Sequence, residues 1–195
     1  MRDRLFTADY VTFCDPIWRA LILPLLPDAA LRCLEIGSFE GRSACWILDN
    51  ILKNDANSHL DCVDLWPGMP EQEKLFDYNL SSEPKVSKHK GFSVHFLTPL
   101  IGQPPSYDFI YIDGNHRGEI VFSDILLAWQ ALKAKGVMAI DDYIYTGPDV
   151  VDLPHPRVAI DAFLKIQANE IRLLELGRQV IVQKRSTPLR QQRES

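Results

Sequence analysis

The stretch "YDFIYIDGNHRGEIVFSDILLAWQALKAKGVMAIDDY", residues 107–143, decides the fold class. It opens on one apolar strand, "FIYID" (109–113), and closes on another, "VMAID" (137–141). Between them Ile120, Ile125, Leu126, Trp129 and Leu132 recur at helical spacing and mark an amphipathic helix. "KAKG" ends that helix, with Gly136 predicted in the left-handed conformation that closes a helix before a strand begins. Strand, helix and strand in this order imply parallel pairing through a right-handed crossover. Both strands are unbroken apolar runs, as expected of strands covered on both faces.

The same rhythm extends outward. "RCLEI" (32–36), "LDCVDL" (60–65) and "SVHFL" (93–97) read as further strands, and Ala44, Ile47, Leu48, Ile51 and Leu52 share one face of a helix between the first two. After the helical stretch "RVAIDAFLKIQANE", the run "IRLLELGRQVIVQKR" divides into two strands at Gly177 and Arg178. A link that short permits a hairpin, and a hairpin is antiparallel. The expected fold is an α/β, Rossmann-like doubly wound sheet of about seven strands with helices on both faces. It is mostly parallel and ends in one antiparallel strand from the C-terminal hairpin. Residues 66–92 carry a short helix at "EQEKLFDYNL" and read either as a lid or substrate loop or as a crossover helix with ragged ends.

A chain of 195 residues suits one domain, here 1–185, followed by a flexible basic and polar tail over 186–195. Hydrophobic residues at 46% and charged residues at 24% are ordinary for a soluble globular protein and exclude fibrous or disordered classes. The formal charge of −5 argues against a nucleic-acid surface, which draws on clustered Lys and Arg, and favours a small-molecule partner. Cys14, Cys33, Cys45 and Cys62 form no CxxC pair and are expected to be reduced and structural. The N-terminus has no signal-like apolar core, and Arg19, Pro24, Pro27, Asp28 and Arg32 interrupt residues 17–36 before they could span a bilayer. The expectation is a cytoplasmic protein without a membrane segment.

"LEIGSFEGRS" (34–43) follows the first strand, and in open α/β sheets ligands bind beyond the carboxyl ends of the strands. Gly37 allows a sharp turn and close approach of backbone to ligand, Gly41 allows close helix packing, and Ser38 and Ser43 supply hydroxyls. Asp64, 23 residues after Gly41, suits the two hydroxyls of a ribose, although it would equally cap the turn before "WPG". Bulky Phe39 and charged Glu40 stand where a dinucleotide-binding loop needs a glycine, which disfavours an NAD-linked oxidoreductase. A second cluster, Asp113, Asp141 and Asp142, ends the fourth and fifth strands. Convergent carboxylates repel unless a cation joins them, and hard oxygen donors select Mg²⁺ or Ca²⁺ over zinc. The alternative is that Asp141 and Asp142 only terminate a strand. His116 in "DGNH" is the first choice for a general base, or else a hydrogen-bonding loop residue. Tyr143, Tyr145 and Trp66 either line an acceptor pocket or pack in the core. That pocket is expected from residues 1–20, 66–92 and 143–157.

Glu35, Gly37, Gly41 and Ser43 resemble the first motif of class I S-adenosylmethionine-dependent methyltransferases, in the form used by catechol-type O-methyltransferases. The 107–143 stretch resembles the group that includes macrolide and aminocoumarin sugar O-methyltransferases, and the closing helix and hairpin fit it too. The likeness covers roughly residues 12–185. It implies methyl transfer to a small-molecule hydroxyl, with S-adenosyl-L-methionine as donor and Mg²⁺ on Asp113, Asp141 and Asp142. It places Glu35 near the methionine amino group, Gly37 under the donor, Ser43 on its carboxylate, Asp64 on the ribose and Leu65 on the adenine face, with Ser38, Gly41 and Asp113 also among the donor-binding residues. "HFLTPLIGQPP" lacks the acidic residue often found near the adenine after strand three. A catalytically silent module of the same fold is the alternative, and completion of the pocket by a second subunit is a further expectation.

Overall fold

Alternation along the strands divides the core between two faces of one sheet. The computed structural model describes residues 3–53, 55–147 and 155–186, so the tail from 187 onward and the segment 148–154 of the expected acceptor pocket lie outside the described residues. Its strands are β1 Arg32–Ile36, β2 His59–Asp64, β3 Val86–Lys90, β4 Tyr107–Ile112, β5 Leu132–Ile140, β6 Ile171–Leu176 and β7 Val180–Lys184. They stand in the order β3-β2-β1-β4-β5-β7-β6. The pairs from β3 to β5 are parallel, and β7 is antiparallel to both of its neighbours.

Cys33, Cys62, Phe109, Tyr111, Ala139 and Ile181 point to one face, which α1 (Asp15–Leu21), α2 (Arg42–Asn50) and α3 (Pro70–Leu80) cover. Leu34, Val63, Ile110, Ile112, Met138 and Val182 point to the other, beneath α4 (Ser93–Leu97), α5 (Gly118–Ala131) and α6 (Pro156–Ile166). The expected doubly wound, mostly parallel sheet is what the chain forms. All four cysteines are buried and free, and burial pushes their thiol pKa values up, so they act as small apolar side chains. No helix among the described residues is long and apolar enough to cross a membrane.

Three sequence expectations need correction. "SVHFL" is the short helix α4, and the third strand is "VSKHK" at 86–90. An edge strand is only half covered, so it carries polar alternates where a central strand is apolar throughout. Lys88 even serves packing there, its ammonium 4.7 Å from the Trp66 ring centroid and 5.7 Å from that of Phe76. Secondly, Gly136 does not close a helix: α5 stops at Ala131, β5 begins at Leu132, and Lys135 takes the left-handed conformation (φ 66°). Residues 133–136 form an irregularity within β5, across which pairing jumps from Tyr107↔Leu132 to Phe109↔Val137. Thirdly, the antiparallel strand β7 lies inside the sheet and β6 takes the edge. Val180, Ile181 and Val182 are fully buried, whereas Leu173 and Leu176 of β6 are about half exposed, so the more apolar strand occupies the interior. Residues 66–92 resolve into the crossover helix α3 followed by β3.

One side chain ties the first helix to the sheet. Trp18 is fully buried, with its ring edge-on to Tyr111 (4.9 Å), Trp46 (5.0 Å) and Phe109 (5.9 Å). Its Nε1–H donates to the Gln179 Oε1 at 2.7 Å. Trp18→Ala removes both the packing and the donor. It should cost about 3–5 kcal/mol, read as a lower urea midpoint at unchanged slope; a loss under about 1 kcal/mol would contradict this packing account.

Candidate active site

The sheet order reverses between β1 and β4, and at that place the two following loops touch. A Cβ on Gly37 would sit 2.0 Å from the Asp113 carbonyl oxygen and 2.5 Å from the Gly114 Cα, and Gly37 has φ +85°. Only glycine fits, because both the backbone angle and the approach of a second backbone exclude a side chain. Asp64, at the end of β2, braces the same loop: its Oδ2 accepts the N–H groups of Ser38 (2.8 Å) and Phe39 (2.9 Å), and its Oδ1 accepts that of Trp66 (2.8 Å). Phe39 and Trp66 are both left-handed (φ 46°), and the Trp66 indole N–H donates to the Phe39 carbonyl at 2.7 Å.

A cleft of about 540 Å³ opens above this loop. Gly37, Ser38, Ser43, Asp64 and Leu65 line one part of it, and Asp113, His116, Asp141 and Asp142 line another. Two of the expected residues are not on the wall. Gly41, left-handed at φ +80°, packs against Leu80 and Phe76 of α3, where a Cβ would meet Leu80 Cδ1 at 2.6 Å. Glu35 is fully buried, and neither of its carboxyl oxygens has a hydrogen-bond partner among the described residues. Burial raises its pKa to about 7; the hydroxyls of Ser38 and Ser43 are near enough to moderate the rise without meeting hydrogen-bond geometry. The buried Ser38 hydroxyl is likewise unpartnered, and Ser38 does line the cleft.

At the other end a buried polar network fixes the aspartates. The Tyr111 hydroxyl lies 2.6 Å from Asp141 Oδ2 and 2.9 Å from Asp113 Oδ2, and Gln179 Nε2–H donates to Asp141 Oδ2 at 2.7 Å. Asp141 Oδ1 accepts the N–H of Asp142, which is held left-handed at φ 64°. Burial, then the charges of Asp141 and Asp142, push the Asp113 carboxyl well above the usual range. The phenol has one proton, so it donates to one of the two carboxyl groups at a time. Asp142 faces outward to His116, its Oδ2 3.2 Å from Nε2, and the imidazole lies 4.0 Å from the Tyr145 ring centroid. The three aspartates share a rim, yet no three His, Cys, Asp or Glu side chains among the described residues are disposed to hold a metal ion. Asp141 spends its oxygens on Tyr111, Gln179 and the Asp142 N–H.

The N-terminal segment forms part of the wall, through Ala8, Tyr10, Val11 and Phe13. It is clasped to the glycine loop by Glu40, which accepts the N–H and hydroxyl of Thr7, and by an Asp9–Arg42 ion pair. Tyr145, Pro67, Met69 and Phe92 also line the cleft, so each of the three segments expected to build the pocket contributes. Trp66 and Tyr143 do not: Trp66 is buried against Phe76, and the Tyr143 hydroxyl donates to Asp161. Sequence reasoning missed Asp124 of α5, which lines the cleft, accepts from the Ser93 hydroxyl at 2.6 Å, and has a pKa raised by burial to about 6. Its only signal was a carboxylate on the apolar face of a helix.

Two outcomes test this geometry. Gly37→Ala should cost about 3 kcal/mol or more through overlap plus strain, against about 1 kcal/mol for Gly68→Ala, which has the same sign of φ and open space beside it; equal costs would contradict the loop contact. Glu35 should also shape stability against pH. A carboxyl whose folded pKa exceeds its unfolded value stabilises fully below the unfolded pKa and loses that contribution as pH rises through the folded one. Without ligand, stability should therefore fall between about pH 4.5 and 7 by up to about 3 kcal/mol from this group, and that part of the slope should be missing in Glu35→Gln.

The comparisons agree with this architecture. A family model described as a methyltransferase domain matches residues 34–143, more than half of the chain. Among solved structures, an O-methyltransferase from Bacillus cereus in complex with SAH superposes with a TM-score of 0.67 at 17% identity, over 92% of this chain and 84% of that one. The O-methyltransferase TomG of Streptomyces achromogenes, solved with SAM, gives 0.61 at 18% identity over 93% and 92%. The MycE methyltransferase of the mycinamycin pathway, solved with Mg, SAH and mycinamycin VI, gives 0.64 at 13% identity; 91% of this chain covers half of that longer one. No curated protein sequence matches the chain. The chain belongs to the methyltransferase-domain family, and its fold is that of the class I S-adenosylmethionine-dependent methyltransferases.

Proposed function

We propose that the protein transfers a methyl group from S-adenosylmethionine to a hydroxyl oxygen of a small molecule, with Mg²⁺ assistance, in the cytoplasm. One observation carries the reading: the glycine loop with Asp64 and Leu65, and the rim with Asp113, Asp142 and His116, open onto the same cleft. The donor supplies an electrophilic methyl on a sulfonium; the C–O bond forms as the C–S bond breaks, so the protein's task is alignment and removal of one proton. Ser38 and Ser43 supply hydroxyls to the polar end of the donor, Leu65 an apolar face for its base, and Asp64 a lone pair beyond those used by the loop. Glu35, buried without a partner behind that loop, would supply a negative charge to offset the donor's ammonium.

His116 accepts the proton. Asp142 beside Nε2 favours the tautomer with its hydrogen there, which makes Nδ1 the basic nitrogen, and it stabilises the imidazolium that forms. The donor set suits Mg²⁺ in kind, since Asp113, Asp141 and Asp142 are hard oxygen ligands on one rim. Those three would hold the ion only once Asp113 and Asp141 turn from Tyr111 and Gln179, and what a cation would supply there is a lower pKa for the acceptor hydroxyl. A second reading, a cofactor-binding module without catalysis, draws support from the engagement of Asp141 by Tyr111, Gln179 and the Asp142 N–H.

Calorimetry should show S-adenosylmethionine binding and NAD not binding. Methyl transfer across a hydroxyl panel should fall on chelation and return with Mg²⁺. Asp141→Asn and Asp142→Asn should each lower turnover about 100-fold while leaving donor affinity within about threefold. Full activity in both variants removes the metal from the mechanism, and donor binding without transfer to any acceptor favours the silent module.

A further inference from the structure

Two arginines line the cleft, Arg42 and Arg178, and one of them is already engaged. Arg42 donates to Asp9 at 2.7 Å and lies over the Phe6 ring. Arg178 makes no side-chain hydrogen bond or ion pair among the described residues; its guanidinium carbon stacks 4.1 Å from the Phe13 ring centroid. Such a stack fixes the plane of the group and leaves its N–H edge available to an in-plane acceptor.

The backbone beneath Arg178 is held to the reactive rim. The Tyr143 N–H donates to the Arg178 carbonyl at 3.1 Å, and the Gly177 N–H donates to the Gln179 carbonyl at 3.0 Å. The buried Gln179 side chain is pinned between Trp18 and Asp141. The turn thus presents an exposed, unspent cation on the wall of the cleft that Asp141 and Asp142 also line, while Asp142 itself faces His116. A planar oxyanion answers such a fork with two parallel charge-assisted bonds. The Phe13 and Tyr145 rings offer flat apolar surface for the body that carries it.

We infer that Arg178 selects acceptors that bear an anionic oxyacid group, a carboxylate before a phosphate ester, alongside the hydroxyl to be methylated. This rests on the methyltransferase reading proposed above. The test compares hydroxybenzoates, the matching hydroxybenzamides and hydroxyphenyl phosphates in wild type, Arg178→Met and Arg178→Lys, by calorimetry with and without SAH and by methyl-transfer kinetics. Wild type should bind acids at least about tenfold more tightly than amides, the size of one charge-assisted hydrogen bond. Arg178→Met should erase that preference, raising KM for acids more than it lowers kcat, with SAH affinity unchanged. Arg178→Lys should keep part of the preference. A phosphate ester that outbinds the carboxylate, in an Arg178-dependent way, supports the proposal and names phosphate as the anion. No acid preference in wild type, absence of acid binding included, or a preference kept in Arg178→Met, overturns it. If SAH fails to bind, the methyltransferase reading fails, and the acid-to-amide comparison without SAH still decides the role of Arg178.

Discussion

The backbone of the β1 loop rests directly on the backbone of the β4 loop, and that contact requires a glycine. With the Asp113 carbonyl where a Cβ of residue 37 would stand, the two loops share one wall at the point where the sheet changes direction. In open α/β sheets this is where a crevice forms, because the helices that follow the two strands pass to opposite faces. The contact makes neighbours of a serine-bearing turn and an aspartate-histidine loop that lie far apart in sequence. Asp64 and the Trp66 indole then fix the turn from the β2 side, which is how Phe39 is kept in a conformation that non-glycine residues rarely adopt.

The opposite half of the cleft is fixed by polar groups instead. Trp18, Gln179, Asp141, Tyr111 and Asp113 form a chain of hydrogen bonds through the interior, linking α1, the turn before β7, the residue after β5, and β4. Buried groups of this kind are costly when unpaired and directional when paired, so the chain sets the orientation of the rim more than it adds net stability. Asp141 is an internal brace in this arrangement and Asp142 the outward-facing member of the pair. The hairpin turn that carries Gln179 also carries Arg178, so one structural device positions both a brace and an unspent charge.

Much of this was legible in the sequence. The strand-helix-strand pattern of 107–143, the terminal hairpin and the clustering of Gly37, Asp64, Asp113, His116 and Asp142 at one cleft follow from periodicity and from where chemistry sits in such sheets. The third strand was illegible because an edge strand buries little and "VSKHK" has almost no apolar signal, whereas the neighbouring "SVHFL" has a strong one. Gly136 misled because strand pairing with β4 overrode a local helix-ending preference. The double duty of Asp64, the burial of Glu35 behind the cleft wall and the parts played by Glu40, Asp124 and Gln179 depend on partners 30 or more residues away in most cases, and no local pattern encodes them.

The central claim is that one cleft holds the methyl donor against the glycine loop and the acceptor against the aspartate and histidine rim. A crystal structure with SAH bound tests it most directly. The account predicts the ribose beside Asp64, the amino-acid end at Ser38 above Glu35, and the sulfur directed toward Asp113 and His116. SAH lodged outside this cleft, or lying in it with its sulfur turned away from that rim, would contradict the account.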